Sequence, residues 1–286
     1  MIKFFYKSKL PMPLKRLILP QCTLVNIKVS NKKEGLGLQS KRNRTIYFLT
    51  LWPKPKDMGI LKLKGKRAKT LAILGSILFI AAAVLFFMPV EIPHKTAFPV
   101  LTAAIFSIWL CPWQMTLAFT FSAIGDYFGY SGNFLPQMGA FAIAHVMFII
   151  YFIGRYFKKV EHDRKLTGRA KGYLAIVIFC TAALLATAFI KVVPGAEPGL
   201  IRTGVSIYTC LISLMMLSAL LQRSSLYALG AVLFVFSDFI IAWCMFVGPV
   251  PHSRLMIMIP YYTAQWILFI RSTPLRIAPE MRILRF

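Results

Sequence analysis

Residues 70–88 read TLAILGSILFIAAAVLFFM, an uncharged run preceded at 58–69 by MGILKLKGKRAK, which carries Lys62, Lys64, Lys66, Arg67 and Lys69. At 1.5 Å per residue such a run comes to about 30 Å as a helix, the thickness of a bilayer's hydrocarbon core. A helix also satisfies its own backbone where no water can. The stretch therefore predicts a membrane-spanning helix, and the basic lead-in puts its N-terminal side in the cytoplasm.

The same pattern recurs at about 96–110, 113–129, 137–154, 172–191, 199–220, 226–247 and 254–271. The fold class predicted is all-α, a polytopic integral membrane protein with eight transmembrane helices. Several runs fall short of the roughly 20 residues of an untilted span. Cys111-Pro112-Trp113 is the only break between the second and third, so one long kinked helix is the alternative there. Composition agrees: of 286 residues 58% are hydrophobic and 15% charged, with a mean hydropathy of +0.67. A water-soluble domain carries about a quarter charged residues and could not hide this much apolar surface.

The net charge is +25, yet 18 of the 34 lysines and arginines lie in residues 1–69. A second basic cluster occupies 155–171, and Arg271, Arg276, Arg282 and Arg285 follow at the C-terminus. With eight spans these three regions share the cytoplasmic side, and the uncharged 129–136 connection faces outward. Both termini are thus expected in the cytoplasm, the membrane being the inner one if the host is bacterial. The basic charge suits anionic lipid headgroups. Nucleic acid is not expected as a partner, because no aromatic-interleaved reading surface accompanies the charge. Cys22, Cys111, Cys180, Cys210 and Cys244 show no paired spacing and read as free thiols. No metal-ligand spacing occurs, and no metal or cofactor is expected.

Residues 1–57 differ from the rest, mixing basic clusters with short apolar patches of no clear period. They are read as a disordered basic extension, with Met58 as a candidate true start. The predicted organisation is then a lead-in at 58–69, a membrane domain at 70–271 and a basic tail at 272–286.

Seven of the nine acidic residues lie in tails, loops or turns. The other two, Asp126 in FSAIGDYFG and Asp238 in LFVFSDFIIA, sit inside apolar runs. A carboxylate there costs a few kcal/mol and is rarely kept without use. His145, in GAFAIAHVMFIIYF, is the only histidine inside such a run. Asp126, His145 and Asp238 are the candidate catalytic residues. Tyr261, Tyr262 and Gln265 enter from the same side in the last run, and with Asn133 on the outward connection they are the candidate substrate-binding residues. Each also has a plain reading. A buried Asp can accept structural hydrogen bonds, His145 can be a tether, the tyrosines can be interfacial anchors, and Gln265 can bridge helices.

An internal echo supports the grouping. IGDYFG and FSDFII each set a small residue before Asp and an aromatic after it, and AIAHVMFII at 142–150 then matches YTAQWILFI at 262–270. Four spans separate the equivalent points, so the expectation is two parallel four-helix repeats.

These motifs, taken together over residues 70–271, closely resemble the YhhN-type lysoplasmalogenase family. The resemblance implies eight-helix membrane enzymes that hydrolyse the vinyl ether bond of lysoplasmalogens to a fatty aldehyde and a glycerophospho-base. It implies Asp126 and Asp238 as the acidic pair, with His145 beside them and a lysophospholipid as substrate. Vinyl ether hydrolysis needs an acid that holds its proton at neutral pH and a carboxylate to activate water. Apolar surroundings and a second nearby carboxylate favour that division of roles within a pair. Oligomeric state is not legible. The competing readings are a proton-coupled transporter built on the same Asp and His residues, and a lipid-binding membrane protein without turnover.

Overall fold

The computed structural model describes residues 65–160, 168–222 and 224–273, with side chains described at 65–157, 172–222 and 224–273. Chain contacts divide the protein into Met1–Pro53 and Lys54–Phe286, and every described residue lies in the second unit. The expected extension at 1–57, the Met58 start, the middle of the 155–171 cluster and the tail after 273 lie outside the described residues.

The described residues form eight α-helices: α1 (Lys66–Phe87), α2 (Phe98–Leu110), α3 (Trp113–Tyr130), α4 (Phe134–Val160), α5 (Gly168–Thr187), α6 (Leu200–Leu220), α7 (Ser225–Phe246) and α8 (Ser253–Ser272). Each coincides with one apolar run of the sequence. A π-helical turn at Ala188–Val192 and a 3-10 turn at Val193–Gly195 continue α5.

Five of the helical segments are long and apolar enough to cross a membrane, and the protein is an integral membrane protein. They are Lys66–Phe87, Phe134–Phe157, Gly172–Gly195, Leu200–Leu220 and Ser225–Phe246. α2, at 13 residues, is apolar but only about 20 Å long. α3 and α8 are diluted by polar residues that face inward, Ser122 and Asp126 on one and Tyr261, Tyr262 and Gln265 on the other.

α2 and α3 are two helices and not one kinked helix. Cys111 is extended at ψ 162°, as the residue before a proline is driven to be. Pro112 has no N–H to continue the α2 ladder and instead opens α3.

Large apolar side chains remain uncovered on the outer helix faces, including Ile73 at 59% and Phe179 at 73% exposure. In lipid those faces cost nothing, and association rests on close packing instead. The interior is filled by Phe79, Phe119, Phe148, Phe152, Phe234 and Phe269. α3 packs along α4 and α7 along α8, while α4 also meets α6 and α8 meets α2. Gly125 permits one such approach, since a Cβ there would stand 2.7 Å from the Phe141 ring. At the far end of α4, α7 and α8, Tyr151 and Tyr227 share a 2.7 Å hydrogen bond. The Tyr227 hydroxyl there also donates to the Arg271 carbonyl at 3.1 Å.

Candidate active site

The two buried aspartates belong to two hydrogen-bonded groups. In the first, the Tyr261 hydroxyl of α8 donates to Asp126 Oδ2 of α3 at 2.9 Å. Thr96 Oγ1, just before α2, donates to the Asp126 carbonyl at 3.3 Å, and the Tyr262 hydroxyl donates to the Thr96 carbonyl at 2.8 Å.

The second group joins α4, α6 and α7. The Tyr208 hydroxyl donates to Asp238 Oδ2 at 2.5 Å. His145 Nε2 lies 3.0 Å from the same hydroxyl and 3.3 Å from the same carboxylate oxygen. With Nε2 protonated, the ring donates into this pair. His145 is fully buried, and both aspartates are 8% exposed.

Aromatic rings fill the space between the groups. Phe234 packs edge-on to His145 at 5.0 Å and to Tyr261 at 5.5 Å, and Phe141 lies 6.0 Å from Tyr261. The carboxyls share no hydrogen bond in the described residues.

Asp238 borders a cleft. This cleft, with about 770 Å³ of empty space, its mouth included, runs between α4, α5, α6 and α7. Asp238 and Tyr208 form part of its wall, whereas Asp126 does not. Most of the remaining wall is apolar, contributed by side chains such as Met138, Leu184, Val205, Ile212 and Phe239. An apolar cavity with a few converging polar groups is the usual form of a small-molecule site.

The structure thus brings His145 to Asp238, and Tyr261 to Asp126. Tyr262 is near but engages backbone. Gln265 is fully buried beside the Tyr261 hydroxyl, and neither amide atom makes a hydrogen bond of acceptable geometry. Asn133 is not brought to the site: it is exposed on the α3–α4 turn, where its carbonyl accepts the Gln137 N–H at 3.0 Å. Tyr208 is the residue that sequence reasoning missed. The signal was present, as it is the one aromatic hydroxyl in α6. Among the described residues no three His, Cys, Asp or Glu side chains cluster as a metal site.

The YhhN family model matches residues 93–272, from just before α2 to the end of α8, and so takes in both hydrogen-bonded groups. The chain belongs to the YhhN family. Human lysoplasmalogenase TMEM86B is 31% identical over 148 residues, 51% of this chain and 58% of that relative. The mouse lysoplasmalogenase TMEM86B is 29% identical over 208 residues, 68% of this chain and 84% of the relative. Bovine lysoplasmalogenase TMEM86A is 31% identical over 172 residues, covering 57% and 66% respectively. The chain spans less than three fifths of the length of the human protein. No solved structure matches this YhhN chain.

Proposed function

We propose that this chain is a membrane lysoplasmalogenase, hydrolysing the vinyl ether bond of a lysoplasmalogen to a fatty aldehyde and a glycerophospho-base. The observation that carries the reading is Asp238. It is a carboxyl in the wall of an apolar cleft, held by Tyr208 and His145, in a family whose matched relatives carry that enzyme's name. Those names give the transporter alternative no support.

In this reading the aliphatic chain lies along the apolar wall and brings the vinyl ether to Asp238. The reaction starts with a proton delivered to the alkene carbon remote from oxygen. A C–H bond forms, the π bond is lost, and an oxocarbenium ion results. Water adds to the carbon bearing oxygen and gives up a proton to a carboxylate. The hemiacetal then breaks its bond to glycerol, releasing the aldehyde and a free glycerol hydroxyl, with one water consumed. Both hydrogen-bond partners of Asp238 bind Oδ2, which leaves Oδ1 to exchange protons with substrate and water. Asp126 supplies the second carboxyl from behind the Phe141 and Phe234 rings. General acid–base catalysis by such groups contributes about 10²–10⁴ in rate.

The architecture that goes with this reading is eight spans in two parallel four-helix repeats, with both termini cytoplasmic. The packing of α4 on α6 and of α8 on α2 supports it, because the fourth helix of each half then meets the second helix of the other.

The direct test is aldehyde release by detergent-purified protein from a 1-alkenyl lysophospholipid, with the 1-acyl lysophospholipid as control. Release confined to the vinyl ether is the expected outcome. No release from folded protein would overturn the reading.

A further inference from the structure

α6 turns one stripe toward the cleft, made of Val205, Tyr208, Thr209, Ile212 and Ser213. Steps of three and four residues keep side chains on one helix face. The next position on that stripe toward the α6 N-terminus is Arg202. Its guanidinium is fixed: Nε donates to the Ala196 carbonyl at 3.0 Å, and Nη2 donates to Ala196 at 2.8 Å and to Pro194 at 3.2 Å. Ala196 and Val205 belong to a small apolar cluster with Val192, against which Phe134 and Phe246 pack, and the last four of these also line the cleft. The cation is therefore held near the end of the cleft where α6 begins, one turn beyond Val205, although Arg202 is not itself among the side chains that line the cleft.

Carbonyl oxygens orient an arginine without neutralising it. Among the described residues Arg202 forms no ion pair, and Nη1 has no hydrogen-bond acceptor. An anchored guanidinium with donors to spare, at one end of an apolar cleft, suits a phosphate oxygen.

We propose that Arg202 recognises the phosphodiester of a glycerophospholipid whose aliphatic chain occupies the cleft. The proposal rests on the cleft being the substrate site, and it adds which part of the substrate is read and by what. Arg202 and Tyr208 are six residues apart, about 9 Å along the helix, and helical side chains lean the same way, toward the N-terminus. In a lysophospholipid the three glycerol carbons separate the ether oxygen from the phosphate oxygen. Glycerol phosphate in an extended form, plus one hydrogen bond, matches the axial part of that span, the two residues lying about a third of a turn apart around the helix. The vinyl ether then meets Asp238 while the phosphate meets Arg202, so a lipid lacking phosphate loses its register. The simpler role, capping the carbonyls that close the 3-10 turn, predicts a different pattern of losses.

The test compares the full chain with Arg202→Gln and Arg202→Lys. Kinetics are measured on 1-alkenyl glycerophosphoethanolamine and on phosphate-free 1-alkenylglycerol of the same chain length. Equilibrium binding of the uncleavable 1-alkyl analogues of both, with inorganic phosphate as competitor, is measured alongside. Arg202→Gln is expected to raise KM and Kd for the phospholipid about tenfold or more, the loss of one charge-assisted hydrogen bond. Its kcat and the values for the phosphate-free lipid should move less than about twofold, and Arg202→Lys should recover part of the loss. Competition by inorganic phosphate alone, without lipid selectivity, would reduce the site to a general anion site and overturn the lipid assignment. Equal losses on both lipids would mean that Arg202 only braces the turn, and no change on either would remove it from recognition. Failure of hydrolysis with phosphate-selective binding intact would count against the hydrolase reading and not against Arg202.

Discussion

The Tyr208 hydroxyl donates to Asp238 Oδ2 across 2.5 Å, so α6 and α7 are joined by a hydrogen bond in the wall of the cleft itself. Its counterpart, Tyr261 on Asp126, joins α8 to α3 away from that wall. The two carboxyls are thus unequal in what they can touch, and their variants should behave unequally.

Asp238→Asn is expected to cut aldehyde release by about 10²–10⁴, the range for loss of a general acid–base group. Asp126→Asn keeps an oxygen to accept the Tyr261 hydroxyl at a carboxyl that does not line the cleft, so its loss should be smaller. Turnover of both variants, compared at equal helicity by circular dichroism, checks the order. A larger loss at Asp126 would reverse the assignment.

Tyr208→Phe keeps the ring in the cleft wall and deletes the donor. Asp238 Oδ2 then retains only His145, at 3.3 Å. Loss of a hydrogen bond to a charged group is about 1.5–3 kcal/mol, so kcat should fall about tenfold to a hundredfold with KM little changed. Steady-state kinetics decide this; an unaltered kcat would make Tyr208 part of the wall alone.

Ala242 lines the cleft on α7, and Ala242→Phe should shorten the room for the chain. Each methylene left unburied forfeits about 0.8 kcal/mol, so losing space for two raises KM roughly fifteenfold. Long-chain substrates should suffer and short ones should not. A KM series over chain length gives the answer, and a uniform rise would show that the chain lies elsewhere.

Gly195 faces the backbone of α7, where an added Cβ would stand 2.0 Å from the Phe246 carbonyl oxygen. Backbone cannot swing aside as a side chain can, so Gly195→Ala should lower the melting temperature, by about 2 kcal/mol or more of stability. Gly139, inside α4, has open space around it, and Gly139→Ala should stabilise by about 0.5–1 kcal/mol through helix propensity. Thermal unfolding in detergent measures both.

Much of this was legible in the sequence because membranes make polar residues conspicuous. Asp126, Asp238, His145 and Tyr261 each interrupt an apolar run, and the cost of placing them there made them stand out. The Cys111–Pro112 break was visible for a similar reason, since proline cannot donate to a helix ladder. Tyr208 escaped because a lone tyrosine in a membrane helix has a common bland explanation at the interface. The apolar walls of the cleft escaped. They are built of Val, Ile, Leu and Phe, and nothing in an apolar run says whether a side chain meets lipid, a neighbouring helix or an empty space. Asn133 is polar and exposed on the α3–α4 turn, outside both hydrogen-bonded groups. The π-helical turn at Ala188–Val192 was not anticipated either, since Lys191 inside it reads simply as the end of an apolar run.

The partners in these two groups lie far apart along the chain: Asp126 precedes Tyr261 by 135 residues, and His145 precedes Asp238 by 93. A ribosome delivers α3 and α4 to the bilayer long before either partner has been made. Through most of synthesis the carboxyl on α3 and the imidazole on α4 are without these partners. Biogenesis therefore depends on something holding those early helices until the last two arrive. A nascent chain halted before α8 presents the cell's quality control with an acid on α3 that lacks its tyrosine.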